Sequence, residues 1–182
     1  MLVIEVRDLV VEYRQLFRPP LRAVDRLSFV VREGEIVGFL GVNGAGKSST
    51  IKVLMGFHPP AAGEARLFGC PSTDPAARRS VGFLPEMALY SPYLTPYETM
   101  RLYGELQGLH GRTLHAQIEA LLEAVGITHK MHTLNRHLSK GTLQRLGIAQ
   151  ALLGNPKLLI LDEVSSGLDP VGKRELRNLL KV

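Results

Sequence analysis

The chain has 182 residues, of which 45% are hydrophobic and 21% are charged. This composition excludes a disordered chain, the single cysteine, Cys70, excludes a disulfide framework, and no apolar run approaches the roughly 18 residues of a membrane-spanning helix. A net charge of +5 suggests an anionic partner such as nucleic acid, a membrane surface or a phosphorylated ligand, without choosing among them.

The first half of the chain is rich in short β-branched runs that are separated by turn signals. The run at Ile36–Leu40 is almost wholly apolar, which predicts a strand buried on both faces of an α/β sheet. We predict strands at Leu2–Val6, Val24–Val31, Ile36–Leu40, Ala65–Phe68 and Val81–Leu84.

Helical patterns follow from about residue 95. Thr95 and Glu98 form a capping-box pattern at the start of the first helix. Apolar residues at helical spacing from Leu114 to Val125 predict a second helix, and Lys140–Leu153 predicts a third. The sequence then predicts a buried strand at Leu158–Leu161 and a last helix that opens at Asp169–Pro170. This order predicts an α/β core with a helical insertion.

A phosphate-binding loop is the strongest motif, with the pattern G-x-x-x-x-G-K-S from Gly41 to Ser48. Its glycines let the backbone wrap around a triphosphate, and the following helix directs its positive dipole end at the anion. Lys47 is predicted to reach the β- and γ-phosphates, and the Ser48 hydroxyl to bind Mg²⁺. Consecutive residues of this loop are the candidate triphosphate contacts: Asn43, Gly44, Ala45, Gly46, Lys47, Ser48 and Ser49.

Two acidic residues, Asp162 and Glu163, directly follow the predicted strand Leu158–Leu161. Ligands of open α/β sheets bind at the carboxyl edge, so this position allows Asp162 to hold Mg²⁺ through water. Glu163 is the candidate general base that polarises the attacking water. We therefore predict Glu163 and Lys47 as the catalytic residues.

The segment from Leu138 to Arg145, Leu-Ser-Lys-Gly-Thr-Leu-Gln-Arg, resembles the signature motif of ABC-type ATPases. The phosphate loop, the signature, the acidic strand end and Ser166–Asp169, which resembles the D-loop of that family, occur in family order. The resemblance implies a P-loop NTPase core with a mixed sheet, in which antiparallel N-terminal strands join a parallel core, and an inserted α-helical subdomain. It further implies that Ser139 and Gly141 contact the nucleotide bound by a second subunit.

The resemblance also implies roles for two positions outside these motifs. Tyr13 resembles the aromatic residue that stacks on adenine, and Phe17 is a competing candidate. Glu86 occupies the position of the family's Q-loop glutamine, where a carboxylate can still bind Mg²⁺ or water. The implied metal ligands are Ser48, Glu86 and Asp162.

The chain departs from the family pattern in the signature and at its C-terminus. Lys140 and Thr142 replace the usual Gly and Gln of the signature, and Lys140 either adds charge near the partner's γ-phosphate or points to solvent. The chain ends soon after Asp169 and lacks the switch histidine that the family carries further on. We therefore expect one ABC-type ATP-binding domain over 1–182 that is incomplete at its C-terminus. Its core would comprise 1–86 and 156–182, and its helical subdomain 87–155.

The function implied by the resemblance is an ATP-binding and hydrolysing subunit that powers a membrane transporter through head-to-tail dimerisation. Within the family, Leu-Pro-Glu at positions 84–86 and Ser-Lys-Gly at positions 139–141 are typical of subunits that serve exporters. The expected partners are a permease and a second ATP-binding subunit, identical or different, at the inner face of the cell membrane, with no direct nucleic-acid contact. A permease surface is predicted around residues 86–97, although core packing is an equal alternative for its apolar side chains Met87, Leu89, Tyr90, Tyr93 and Tyr97.

Two other functions stay open at this stage. The net charge of +5 would suit a soluble ABC-type ATPase that acts on nucleic acid or the ribosome. The missing switch histidine would suit a cassette that binds ATP but does not hydrolyse it. His129, His132 and His137 match no common zinc pattern and are expected on the surface of the helical insertion.

Overall fold

The computed structural model describes residues 1–87, 89–163 and 174. They form two compact units, Met1–Arg79 and the part of the chain from Ser80 onward, and each is described by itself. Among the described residues, no helix is long and apolar enough to cross a membrane.

An antiparallel sheet dominates the first unit, with the strand order β2-β1-β3-β4. Buried Val6, Leu9, Val11 and Leu67 supply much of its apolar face. The strands are β1 (Leu2–Gln15), β2 (Arg18–Arg32), β3 (Ala62–Leu67) and β4 (Cys70–Pro71).

The first two strands are much longer than the sequence predicts. Asp8 and Arg26 adopt positive φ values of 44° and 50°, and the β1–β2 register shifts between Val6 and Leu9. Such bulges let a strand continue past polar residues that break its alternation. The Asp8 backbone N–H donates to the Ser28 hydroxyl across the bulge at 2.8 Å.

The predicted buried strand at Ile36–Leu40 is wrong in this structure. The segment has no regular secondary structure, and Ile36 and Leu40 are 88% and 93% exposed. A strand buried on both faces needs ladder partners. Within the first unit, β1 already has β2 and β3 as its neighbours, and the parallel strands belong to the second unit.

Helix α1 (Lys47–Leu54) follows the phosphate loop, as the motif predicts. It ends at Leu54, because Gly56 adopts a φ of 67° just beyond it. The Phe57 N–H donates to the Lys52 carbonyl and the Gly56 N–H to the Val53 carbonyl, which is the Schellman pattern of a helix end.

The second unit contains two parallel strands and three helices. Strand β5 (Val81–Leu84) pairs with β6 (Leu158–Leu161), and both match their predicted bounds. The three helices also confirm the predicted order: α2 (Pro96–Leu106), α3 (Gly111–Ala124) and α4 (Lys140–Leu152).

One apolar cluster joins these helices to β5. Leu84 of the strand, Met100 of α2, Ile118 of α3 and Leu146 of α4 are fully buried together. Glycine allows the close approach of α4 to β5, because a Cβ at Gly82 would collide with the Ala151 carbonyl oxygen. The helical segment therefore has its own core.

Two sequence predictions lie outside the described residues. They are the helix that opens at Asp169–Pro170 and the D-loop at Ser166–Asp169.

Candidate functional site

The phosphate loop turns into α1 through two glycines with left-handed backbone. Gly44 and Gly46 have φ values of 84° and 83°. Gly46 is also buried: a Cβ there would collide with the Ala23 carbonyl oxygen and lie 2.7 Å from Val24 Cγ2. Only glycine fits this position, so the sheet itself holds the start of the helix against the loop.

The first turn of α1 presents backbone donors at the end of the loop. The Thr50 N–H already donates to the Gly46 carbonyl at 2.9 Å. The N–H groups of Lys47, Ser48 and Ser49 have no backbone acceptor within the described part of the chain, as expected for the first turn of a helix. Together with the helix dipole they form a site for an anion.

The Lys47 ammonium group lies inside the loop. Its Nζ donates to the Gly41 carbonyl at 2.7 Å and to the Val42 carbonyl at 3.0 Å. Two neutral carbonyl oxygens hold the cation in place without neutralising its charge. The ammonium group therefore remains available to an anion that the loop surrounds.

Tyr13 lies beside the same helix turn. Its hydroxyl donates to the Ser49 hydroxyl at 3.2 Å, and its half-buried ring stacks on His58 with centroids 4.7 Å apart and planes at 30°. The Lys52 ammonium nitrogen is 6.0 Å from the ring centroid. Phe17, the alternative base-stacking residue, is 97% exposed at the β1–β2 turn. Tyr13 therefore contacts the helix that follows the phosphate loop, whereas Phe17 lies at the tip of the hairpin.

His58 is a neighbour of the site that the sequence did not reveal. Its ring packs on Tyr13, and its Nε2 is 3.1 Å from the Glu12 carbonyl oxygen. His58 is half-buried in the first unit, whereas the histidines expected on the surface of the helical insertion, His129, His132 and His137, are exposed as predicted. No local signal could have identified it, because the contact with Glu12 joins residues 46 positions apart.

The carboxylates Glu86, Asp162 and Glu163 belong to the second unit. Strands β5 and β6 run parallel with Leu84 opposite Leu161, so the residues that follow both strands emerge at one edge of the sheet. The Asp162 N–H donates to the Leu84 carbonyl at 2.9 Å, which extends the ladder to this acidic residue.

Glu163 ends the described strand region with a left-handed φ of 49°. Its side chain is exposed, whereas Asp162 is half-buried. A non-glycine residue in this conformation is uncommon and often marks a functional position. The backbone turns sharply here and gives the two neighbouring carboxylates different surroundings.

The signature residues lie at the start of α4. The Ser139 hydroxyl accepts from the Thr142 N–H at 3.1 Å and lies 2.9 Å from the Thr142 hydroxyl, so it caps the helix. The side chains of Ser139 and Lys140 are exposed, and Gly141 is half-exposed. The helix end is therefore accessible to a ligand from outside the chain.

The apolar segment around residues 86–97 divides into exposed and packed residues. Tyr90 and Tyr97 pack against the helical core, and burial raises the pKa of the Tyr90 phenol above its ordinary value. In the same segment, the side chains of Met87, Leu89 and Tyr93 are exposed. Core packing therefore applies to Tyr90 and Tyr97, and the predicted permease surface stays a prediction for the exposed residues.

Asn135 anchors this segment and was also missed. Its buried side-chain amide donates to the Ser91 carbonyl at 3.0 Å and to the Thr99 hydroxyl at 2.9 Å. Its backbone N–H donates to the Leu94 carbonyl at 2.8 Å. These bonds fix the loop against the start of α2.

The donor types fit a nucleotide with Mg²⁺. In the first unit, free N–H groups and the Lys47 ammonium group suit phosphate oxygens, and the Ser48 hydroxyl is an oxygen donor of the kind that Mg²⁺ prefers. In the second unit, the carboxylates of Asp162 and Glu86 are donors of the same kind. The loop belongs to the first unit and the carboxylates to the second, and each group is arranged within its own unit.

Comparison with known proteins identifies the family. The ABC transporter family matches residues 24–166, and the chain belongs to this family. The chain is 40% identical over 161 residues to the bacitracin transport ATP-binding protein BcrA of Bacillus licheniformis, which covers 87% of this chain and 52% of the relative. It is 37% identical over 177 residues to the human retinal-specific phospholipid-transporting ATPase ABCA4, which covers 96% of this chain and 8% of that protein. The chain thus spans about half the length of BcrA.

Solved structures confirm the fold. An ATP-binding subunit of an ABC transporter superposes with a TM-score of 0.86 at 32% identity, covering 98% of this chain and 73% of the other. The dimeric cassette MJ0796, bound to ADP and phosphate, gives 0.89 at 23% identity over 98% and 81% of the two chains, which supports the fold alone. The predicted P-loop fold of the ABC type is therefore confirmed, with the described antiparallel and parallel strands in two separate sheets.

Proposed function

We propose that this chain is the ATP-binding and hydrolysing part of a subunit that powers a membrane transporter. The observation that carries the proposal is the phosphate loop at the head of α1, where buried Gly46 fixes the turn and Lys47 lies within the loop. The family membership and the ATP-binding relatives support it. The proposed domain comprises a core of 1–86 and 156–182 and a helical subdomain of 87–155.

The phosphates would bind along the loop from Asn43 to Ser49. Backbone N–H groups orient the phosphate oxygens, and Lys47 moves from the loop carbonyls to the β- and γ-phosphates. The adenine would stack on Tyr13, whose hydroxyl is already held by Ser49. Ring and loop then bind the two ends of one nucleotide.

Hydrolysis would use the carboxylates that follow β5 and β6. Glu163 accepts a proton from the attacking water as general base, and the left-handed turn at Glu163 separates its role from that of Asp162. Ser48, Asp162 and Glu86 would hold Mg²⁺ directly or through water. When bound, the metal supplies charge neutralisation on the phosphate oxygens.

A second ATP-binding subunit would complete the site in a head-to-tail dimer. The exposed Ser139 and the neighbouring Gly141 at the start of α4 would contact the γ-phosphate bound by that subunit, which is identical or different. Such a contact exists only in the closed dimer, so ATP would favour closure and its hydrolysis would favour opening.

The partner in the membrane would be a permease that binds the exposed apolar residues Met87, Leu89 and Tyr93. Asn135 holds the backbone beside them. This contact would place the subunit at the inner face of the cell membrane. Export is the proposed direction, supported by the family's association of Glu86 and the Ser139 motif with exporters.

A titration with a fluorescent ATP analogue tests the nucleotide site. Lys47→Ala should weaken binding tenfold or more, because a charge-assisted hydrogen bond contributes about 1.5–3 kcal/mol. The exposed Lys157→Ala is the matched control and should bind as the wild type does. Unchanged affinity in Lys47→Ala would refute the phosphate-loop assignment.

Phosphate release separates binding from hydrolysis. Glu163→Gln should retain nucleotide affinity and lose turnover, while the exposed Glu119→Gln changes neither. Turnover in Glu163→Gln at the wild-type rate would refute its assignment as general base.

A further inference from the structure

The tip of the β1–β2 hairpin, residues 14–22, is exposed throughout. The ladder closes at the pair Gln15 and Arg18, which leaves Leu16 and Phe17 as the turn. These two side chains are 83% and 97% exposed. The outermost point of the hairpin is therefore apolar.

The backbone at the turn does not favour this residue choice. Phe17 has a φ of 59°, a conformation that turns usually assign to Gly or Asn. A bulky aromatic residue in the left-handed region is a genuine outlier for local stability. The position of Phe17 is thus better explained by a partner outside the chain that its exposed side chain would contact than by the turn itself.

Positive charge flanks the apolar turn. Neither Arg14 nor Arg18 has an ion-pair partner among the residues that the structure describes. Arg22, further along β2, is by contrast paired with Glu12 at 2.9 Å and with Asp25 at 3.1 Å. No acidic residue occurs between positions 14 and 22. The tip therefore carries two uncompensated guanidinium groups beside two exposed apolar side chains.

The edge of the hairpin is unsuited to pairing with a strand from a protein. β2 is the edge strand of its sheet, and Pro19 and Pro20 follow its first residue, Arg18. Proline has no N–H to donate to a further strand, and proteins use it to block such pairing. A partner would therefore contact the side chains of the tip rather than pair with its backbone.

We propose that this hairpin tip binds an anionic phospholipid surface. Leu16 and Phe17 enter the apolar boundary beneath the headgroups, and the guanidinium groups of Arg14 and Arg18 bind the lipid phosphates. Charge complementarity favours anionic over neutral lipid, since each arginine near such a surface adds to the attraction. The contact is separate from the permease contact proposed above and adds a direct lipid anchor.

Single-stranded nucleic acid fits the same surface less well. Binding without sequence preference requires several aromatic platforms along a basic groove. The tip provides one aromatic ring, Phe17, and an aliphatic neighbour, Leu16, that no base stacks on. Apolar insertion uses both residues, which is why lipid is the better partner.

Vesicle co-sedimentation of the whole chain tests the proposal. One set of vesicles contains phosphatidylcholine alone, and the other contains phosphatidylcholine and phosphatidylglycerol in equal amounts. We expect preferential binding to the anionic vesicles, reduced by high salt. The double variant Leu16→Ser with Phe17→Ser should bind them about tenfold more weakly. Leu106→Ser, which alters a leucine on α2 that is 74% exposed, should bind as the wild type does.

The arginine pair has its own control. Arg14→Gln with Arg18→Gln should lose about tenfold in affinity and most of the salt dependence. Arg112→Gln with Lys157→Gln removes the same charge from exposed positions elsewhere and should lose less than threefold. If both double variants lose the same vesicle affinity, net charge alone explains the binding and the proposal is overturned.

Phe17→Gly guards against misfolding as an explanation. Glycine suits the left-handed turn, so this variant should melt at the wild-type temperature or above it while binding anionic vesicles several-fold more weakly. Wild-type vesicle binding by Phe17→Gly and by the serine double variant would overturn the proposal. The same variants are also tested for binding of a single-stranded oligothymidine. If they lose affinity for the oligothymidine but not for the vesicles, the proposal is overturned as well. Lys47→Ala should still bind vesicles, so failure of the nucleotide assignment and failure of the lipid proposal are distinguishable.

Discussion

The Tyr13 hydroxyl donates to the Ser49 hydroxyl at 3.2 Å, which joins strand β1 to the first turn of the helix behind the phosphate loop. The two residues are 36 positions apart in sequence. A ligand that stacks on the Tyr13 ring would therefore contact a side chain that is hydrogen-bonded to the helix after the phosphate loop. This link connects the proposed base site with the proposed phosphate site.

Tyr13→Ala should weaken ATP binding about tenfold, because stacking of a base on an aromatic ring contributes about 1–3 kcal/mol. It should leave the affinity for inorganic tripolyphosphate unchanged, since the phosphate loop is untouched. Tyr13→Phe keeps the ring and should lose less than threefold. Isothermal titration with both ligands measures this, and equal losses for ATP and tripolyphosphate would count against base stacking.

His58→Ala should weaken ATP binding about threefold, because the ring that stacks on Tyr13 is removed while the loop stays intact. His58→Phe should restore most of the affinity, since it keeps the stacked pair. The exposed His129→Ala is the control and should match the wild type. A positioning role for His58 predicts that tripolyphosphate binding does not change, and a parallel loss for that ligand would indicate general destabilisation instead.

Local signals explain which elements the sequence predicted correctly. The phosphate loop, the capping box at Thr95 and the apolar strand at Leu158–Leu161 each combine a distinctive residue pattern with a short-range physical cause. These elements appear with bounds close to those predicted. The family follows from the same motifs, because their order along the chain is more specific than any one of them.

Long-range contacts explain what the sequence did not predict. The stack of His58 on Tyr13 and the bond from Asn135 to the Ser91 carbonyl join residues that are far apart along the chain. Ile36–Leu40 has the composition of a buried strand, yet a ladder depends on neighbours that composition does not specify. The bulge at Asp8 likewise depends on Ser28 in the facing strand.

Gly82→Ala should lower the free energy of unfolding by about 1–3 kcal/mol or more, because the added Cβ would collide with the Ala151 carbonyl of α4. The obstacle is backbone, so no side-chain rotation relieves it. Gly38→Ala is the control, since its Cβ would meet nothing closer than Leu40 Cγ at 3.9 Å. Urea denaturation followed by circular dichroism measures both. A Gly82→Ala variant as stable as Gly38→Ala would contradict the close packing of α4 on β5.

The capping box of α2 predicts a pH-dependent contribution to stability. The Thr95 hydroxyl accepts from the Glu98 N–H at 3.2 Å, and the Glu98 carboxylate accepts from the Thr95 backbone N–H at 2.9 Å. The hydrogen bond from the Thr95 backbone, followed by that from its hydroxyl, lowers the pKa of Glu98 below the ordinary value of 4.5. A lowered folded-state pKa means that the stabilisation is present above pH 4.5 and is lost as the pH falls through the folded-state pKa.

Thr95→Ala should therefore lower the free energy of unfolding by about 1 kcal/mol at neutral pH, the usual loss for an N-cap residue. The difference from the wild type should narrow in acid, and urea titrations across this pH range measure it. The exposed Thr113→Ala, within α3, is the control. A Thr95→Ala deficit that stays constant down to acid pH would show that the Thr95 hydroxyl does not stabilise the Glu98 carboxylate.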